Sequence, residues 1–295
     1  MKKIACPPDA QPRGSAQAAP LPYYRLRVSI IRDKNSHMIR GNKIGVVVPA
    51  FNEERFISGV LATMPGFVDR IFVVDDASTD ATLDVALRVK DGRIVIIEHR
   101  RNMGVGASIV TGYRAAVSNG MHVVAVMAGD GQMDPDDLEK IVTPLIERQA
   151  DYSKGDRLSW PGALGEMPFP RFVGNHFFSA MSRAFCGYSE LKDSQCGYTA
   201  VTASCLSRLD LDDLYPGYGF PNDMLSKLSR VNARLAQIPV RPVYGREKSG
   251  INLFTALVRM PGVILVCGMK RRKRVMKDTE SPTEEAVSVF PADHL

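Results

Sequence analysis

Short apolar runs recur along the first half of this chain, and most of them close on acidic residues or glycine. They cover Lys43 to Pro49, Arg70 to Val74, Ile94 to Ile97 and Val123 to Met127. Runs this short, bounded by turn residues, read as buried strands rather than helices. Helical patterns lie between them. Phe56, Val60, Leu61 and Met64 share one helical face, which Pro65-Gly66 ends. Ser78, Thr79 or Asp80 can cap a helix carrying Leu83, Ala86 and Leu87. A third helix is expected from the Asn102–Gly106 turn through Ala115. A fourth is expected over Asp137–Arg148, entered through Asp134 as N-cap and Pro135 as first position. Strand and helix alternating in this way predict an α/β fold, a Rossmann-like, doubly wound and mostly parallel sheet.

The strand ends carry acid: Glu53, Asp75, Asp76 and Asp130. In open α/β sheets ligands bind outside the carboxyl ends of strands. A dinucleotide enzyme would place a glycine-rich loop after the first strand, but Pro49-Ala50-Phe51-Asn52-Glu53 stands there. Gly104-Val105-Gly106 has Ile109 where the third small residue belongs, and no Walker loop is found. Carboxylates bind a diphosphate only through a cation. Mg²⁺ or Mn²⁺ on a diphosphate needs few protein ligands, because phosphate and water complete the octahedron. Asp130 and Gln132, in Ala128-Gly129-Asp130-Gly131-Gln132, suit that task, and a plain polar turn is the alternative.

Charge narrows the partners. Residues 1–42 hold eight Lys/Arg against two acids, residues 270–277 add six Lys/Arg with no acid before Asp278, and the tail beyond carries five acids. Residues 43–269 therefore have a net charge of −1, which argues against a nucleic-acid groove. The five cysteines show no paired spacing and read as reduced thiols. Lys2-Lys3 is followed by too short an apolar stretch for a secretory signal, so a cytoplasmic setting is expected. Residues 1–42 read as a disordered basic extension, 43–150 and 151–250 as two halves of one unit, and 278–295 as an acidic flexible tail. Residues 251–277 read as an amphipathic, basic, membrane-proximal helix. Its Leu253–Met269 stretch is broken by Arg259, Pro261 and Gly262, so it fits peripheral contact better than a span. A buried core helix before a solvated tail is the other reading.

VVVPAFNEE, VVDDASTDAT, RNMGVGASIVTGYRAA and MAGDGQMDPDDL, in that order, resemble the family 2 glycosyltransferases, and within them the dolichyl- and polyprenyl-phosphate sugar synthases. The resemblance spans residues 43–250. It implies a GT-A fold, a GDP- or UDP-sugar donor, Mg²⁺ or Mn²⁺, and inversion at the sugar carbon. By position, Pro49, Phe51 and Glu53 match the first nucleotide-contacting loop. Asp76 matches the acid that reads the base, with Asp75 shaping the turn. Asp130 matches the metal-binding acid and Gln132 its neighbour; Ala128 stands where the family's first acid belongs.

In the second half, Arg157 matches a phosphate-facing position, as does Arg171. Asp193, with Gln195 in the same DSQCGY segment, matches the acceptor-site acid, and Asp223 the acid of the next motif. Arg246 and Lys248 fall in a stretch like the family's basic loop over phosphate. Ordinary structural roles compete throughout: Arg157 as a solvated charge, Arg171 in a helix-start ion pair, Asp193 as a cap, Asp223 paired with Lys227 at i,i+4, and Arg246 and Lys248 in a surface turn. Cys196 reads as a small buried residue, and His122 and His176 as structural.

The implied activity is metal-dependent hexose transfer from a nucleotide-diphosphate sugar to polyprenyl or dolichyl phosphate, peripheral on the cytoplasmic membrane face. Transfer to a glycan or lipid hydroxyl and a non-catalytic nucleotide-sugar-binding role are the alternatives. An alcohol acceptor needs a general base, for which Asp193 is the candidate; a phosphate acceptor is already an anion and needs only cations.

Overall fold

The computed structural model describes residues 24–28, 39–244, 261–266 and 269. The strands are β1 (Tyr24–Val28), β2 (Ile44–Ala50), β3 (Arg70–Asp75), β4 (Ile94–His99), β5 (Val123–Val126), β6 (Tyr152–Asp156), β7 (Thr199–Thr202) and β8 (Leu235–Pro239). The helices are α1 (Ile57–Ala62), α2 (Thr82–Arg88), α3 (Val105–Ser118), α4 (Leu138–Ile146), α5 (Ala163–Glu166), α6 (Phe169–Cys186), α7 (Ala203–Leu206) and α8 (Phe220–Arg230). All the strands join one eight-stranded sheet in the order β1-β4-β3-β2-β5-β7-β6-β8.

β4, β3, β2 and β5 run parallel, as the alternation predicts, and β2 is buried along its whole length. A strand covered on both faces reads as a continuous apolar run rather than an alternating one. Ile44, Val46 and Val48 face one core with α1 and α4. Val47 faces the other with Ile109, Tyr113 and Ala116 of α3. Gly112 permits that second contact, since a β-carbon there would lie 2.2 Å from Val47 Cγ1. β7 then pairs antiparallel with both β5 and β6, so the two halves of the chain share one sheet.

Two expectations need correction. Tyr24–Val28 lies within the stretch set aside as a disordered extension, yet it pairs antiparallel with β4, Tyr24 opposite His99 and Val28 opposite Val95. It gives the edge of β4 a hydrogen-bonding partner. The helix expected over Asp137–Arg148 is α4, shorter, and entered through a 3₁₀ turn at Pro135–Asp137. Asp134 caps that turn by accepting from the Asp136 N–H.

Candidate active site

The carboxyl ends of β2, β3 and β5 converge, and backbone bonds tie them together. Asp76 N–H donates to the Ala50 carbonyl, and Gly129 N–H to the Pro49 carbonyl. The loops beyond are stitched as well. Asn52 N–H donates to Ser78 Oγ at 3.0 Å, Thr79 N–H to Asn52 Oδ1 at 2.8 Å, and Glu53 N–H to Thr82 Oγ1 at 2.7 Å. Asn52 and Ala77 both adopt the left-handed backbone region (φ 59° and 60°), uncommon for side chains other than glycine. Pro49 is buried, Phe51 is exposed and Glu53 lies between them. An exposed aromatic at a strand end offers a face on which a nucleobase can stack.

The adjacent aspartates at the end of β3 have opposite environments. Asp76 is engaged from three sides: His99 Nδ1 lies 2.7 Å from Oδ1, Met103 N–H donates to Oδ1, and Gly104 N–H donates to Oδ2. Burial pushes its carboxyl upward, but those bonds outweigh burial and hold it below the ordinary value. His99 is anchored in turn, with Nε2 3.0 Å from Thr111 Oγ1. Asp75 is also buried, and its Oδ2 accepts from Ser78 N–H at 3.3 Å. Its Oδ1 is buried with no hydrogen-bond partner, and burial raises its carboxyl above the ordinary value.

The β5 turn is held by Gln132 N–H donating to Asp130 Oδ1 at 3.0 Å, with Gly131 at φ +74° between them. Asp130 and Gln132 are both half-buried at the strand end. Their donor set is one carboxylate and one carboxamide, hard oxygens that fit Mg²⁺ or Mn²⁺ when a diphosphate completes the shell. Among the described residues no cluster of three or more His, Cys, Asp or Glu could hold a metal ion.

β6 delivers Arg157 to Asp193. Arg157 Nε donates to Oδ2 at 2.8 Å, Nη2 to Oδ1 at 3.1 Å, and the Arg157 N–H to Oδ2 at 3.2 Å. The N–H groups of Gln195 and Cys196 donate to the same carboxylate. Asp193 is fully buried. Burial pushes its carboxyl upward, yet Arg157 outweighs that and holds it low; Asp193 in turn holds the Arg157 guanidinium firmly charged. Lys154, three residues before Arg157 and on β6, is fully buried too, and its Nζ donates to the Cys196 carbonyl. Burial pushes its ammonium below the ordinary value. Sequence reasoning passed over Lys154 and His99. The visible signal for Lys154 was a cation inside a short run that otherwise reads as a buried strand.

The remaining candidates separate. Arg171, in the first turns of α6, stacks over the Tyr244 ring with its guanidinium carbon 5.0 Å from the centroid. Tyr244 stands two residues before Arg246 and four before Lys248, both of which lie outside the described residues. Asp223 Oδ2 accepts from Tyr215 N–H at 2.9 Å and lies 3.6 Å from Lys227 Nζ, the i,i+4 arrangement weighed above. It pins the loop before α8. Gly104 and Gly106 serve the same loop. A β-carbon at Gly106 would lie 2.3 Å from the Tyr215 carbonyl, and Ala107 N–H donates to the Pro216 carbonyl. The start of α3 is thus covered by the chain itself. His122 Nδ1 accepts from Lys43 N–H, and His176 packs edge-on against Phe172. Cys196 is buried.

Comparison with known proteins gives the family and the fold. The family model described as Glycosyl transferase family 2 matches residues 45–210. A UDP-N-acetylglucosamine–dolichyl-phosphate N-acetylglucosaminyltransferase of Methanococcus voltae is 27% identical over 216 residues, 68% of this chain and 86% of that one. An undecaprenyl-phosphate mannosyltransferase of Micrococcus luteus is 30% identical over 203 residues, 67% of this chain and 82% of that one. Among solved structures, glucosyl-3-phosphoglycerate synthase of Mycobacterium tuberculosis with UDP superposes with a TM-score of 0.58 at 22% identity, covering 79% of this chain and 80% of that one. The same enzyme with Mn²⁺, UDP and phosphoglyceric acid gives 0.57 at 20% identity, covering 79% of each. The shared fold is the GT-A fold, with its mostly parallel sheet. The chain belongs to glycosyl transferase family 2 and is a glycosyltransferase.

Proposed function

We propose that this glycosyltransferase moves a hexose, with inversion, from a UDP- or GDP-sugar to polyprenyl or dolichyl phosphate, at the cytoplasmic face of a membrane. The Arg157–Asp193 pair carries the reading. A hydroxyl acceptor needs a base near the reacting oxygen with a pKa close to the working pH. The acceptor-segment carboxylate is instead buried, held low and locked by a guanidinium fork and backbone N–H groups. Such a carboxylate is a poor proton acceptor at neutral pH and a good anchor for a cation. A phosphate acceptor asks for that arrangement, because it arrives as an anion. In this role Asp193 and Gln195 shape the acceptor segment, and Arg157 presents positive charge to the lipid phosphate. Arg171, Arg246 and Lys248 are the further cations for phosphate.

On the donor side, Phe51 and Glu53 would line the nucleoside pocket over Pro49. Asp75, whose buried Oδ1 has no hydrogen-bond partner, is the acceptor we assign to a base N–H. It takes the place of Asp76, the acid expected from the motif, because Asp76 is taken up in holding the Met103–Gly104 turn. Asp130 and Gln132 would hold Mg²⁺ or Mn²⁺, which neutralises charge building on the departing diphosphate. The names of the two lipid-phosphate relatives support the acceptor class. Radiolabelled nucleotide sugars incubated with polyprenyl phosphate and Mg²⁺ should give a labelled lipid phosphate. Failure with every donor, alongside nucleotide binding that ignores divalent ions, would favour the non-catalytic role that Ala128 motivates.

A further inference from the structure

α6 has two faces of different chemistry. Ser179, Ser182 and Cys186 are buried. Ser179 Oγ accepts from Ser194 N–H at 2.9 Å, beside Asp193, and Ser182 Oγ donates to Asn222 Oδ1 of α8 at 2.7 Å. At 3.6 residues per turn, Phe169, Val173 and Phe177 form a stripe centred about 150° round the helix from those residues. That stripe is open to solvent: Phe169 is 67% exposed, Val173 50% and Phe177 57%. Leu164 on α5, just ahead of it, is 63% exposed. Large apolar side chains grouped along one surface helix mark an interaction site.

We infer that the Phe169–Val173–Phe177 face of α6 docks on an anionic lipid bilayer. Charge complementarity selects this occupant. α6 has no acidic residue, and the exposed Arg183 flanks the apolar stripe, the make-up of a helix lying in a lipid interface; Arg171 lies on the far side, against Tyr244. A second exposed apolar pair, Leu265 and Val266, lies on the helical stretch 261–266, and Val263 of that stretch lies against Gly219. Gly219 leads into α8, the helix that Ser182 grips. The buried face of α6 holds the acceptor segment while its outer face meets lipid. Docking would thus bring a membrane-borne acceptor to Asp193 and Arg157. This purpose rests on the lipid-phosphate reading, whereas lipid binding itself is measured without any transfer.

Full-length protein is floated with vesicles of phosphatidylcholine, with and without phosphatidylglycerol. It should float with the anionic vesicles only. The double variant Phe169→Glu/Phe177→Glu should lose about tenfold or more of the bound fraction, because two aromatic anchors leave the interface and two anions enter it. Phe169→Leu/Phe177→Leu should float as the parent does. Both variants should keep the parent melting temperature, since these side chains are exposed. Unchanged flotation of the Glu variant would overturn the assignment. So would a parent dimer in sedimentation that the Glu substitutions dissociate, because the face would then belong to a second copy. Transfer to a short, water-soluble prenyl phosphate, unaffected by either variant, separates a failure of docking from a failure of the proposed reaction.

Discussion

Arg157 and Asp193 stand 36 residues apart in sequence and are joined by a side-chain fork at 2.8 and 3.1 Å, with the carboxylate fully buried. The pair ties the end of β6 to the Asp193–Tyr198 segment and fixes the charge state of both groups. Removing one partner leaves the other buried and unpaired, which costs about 3–5 kcal/mol. Asp193→Asn should therefore unfold at lower denaturant and show transfer that is impaired but not abolished, since a phosphate acceptor needs no base there. Arg157→Lys should also lose activity, because an ammonium cannot reproduce the fork. Denaturant titration together with turnover checks both.

The same pair sets a pH dependence. The folded Asp193 carboxyl lies below its unfolded value near 4. Its contribution to stability is therefore fully present above about pH 4 and is lost as pH falls through the depressed folded pKa. The stability gap between the parent and Asp193→Asn should narrow as pH drops below 4, with Asp76 adding an acid sensitivity of the same sign. Unfolding curves from pH 7 down to pH 3 read this directly.

Asp75 and Asp76 should respond in opposite ways. Asp76→Asn disturbs a carboxylate that accepts from His99 and from two backbone N–H groups, so it should destabilise by about 1–3 kcal/mol. Asp75→Asn removes a charge that burial disfavours; it should leave melting at neutral pH unchanged or raised. The same change should abolish the upward shift in melting temperature that a nucleoside diphosphate produces by binding the native state. A thermal-shift panel of nucleotides on both variants tests this.

Asp130→Asn should keep the fold and lose the metal-dependent part of nucleotide binding. The thermal shift given by a nucleoside diphosphate with Mn²⁺ should fall to that seen without metal. Retention of full transfer by this variant would remove Asp130 from the metal site.

The close approach of α3 to the loop before α8 is equally testable. Gly106→Ala would place a β-carbon 2.3 Å from the Tyr215 carbonyl and 2.9 Å from the Pro216 carbonyl carbon. Backbone cannot yield there cheaply, so a loss of about 1–3 kcal/mol in denaturant unfolding is expected.

Much of this fold was written in local pattern. β2 to β5 follow from apolar runs of strand length, and the acids at their ends mark the ligand edge. β1 was missed because its neighbours are rich in Pro, Ala and Lys/Arg, although Tyr24, Leu26 and Val28 alternate with arginines as an edge strand does. Candidate residues that lie close in the chain, such as Asp130-Gly131-Gln132, are picked out by sequence order alone. The site was not legible where side chains meet through the fold. Nothing in the spacing of VVDDASTD shows that His99 and the Met103–Gly104 turn occupy Asp76 while Asp75 keeps an unpartnered oxygen. Gly104-Val105-Gly106 fails the phosphate-loop pattern at Ile109, and the sequence does not show that those glycines admit the Tyr215–Pro216 backbone.

The most direct measurement compares two acceptors side by side. The enzyme is given its nucleotide sugar with Mg²⁺ and either polyprenyl phosphate or the corresponding free polyprenol. With the acceptor-segment carboxylate locked by Arg157, label should enter the phosphate lipid alone, at a rate that stays level from neutral to mildly alkaline pH. Equal or faster labelling of the free alcohol, with a rate that climbs as a protein base deprotonates, would contradict a phosphate acceptor.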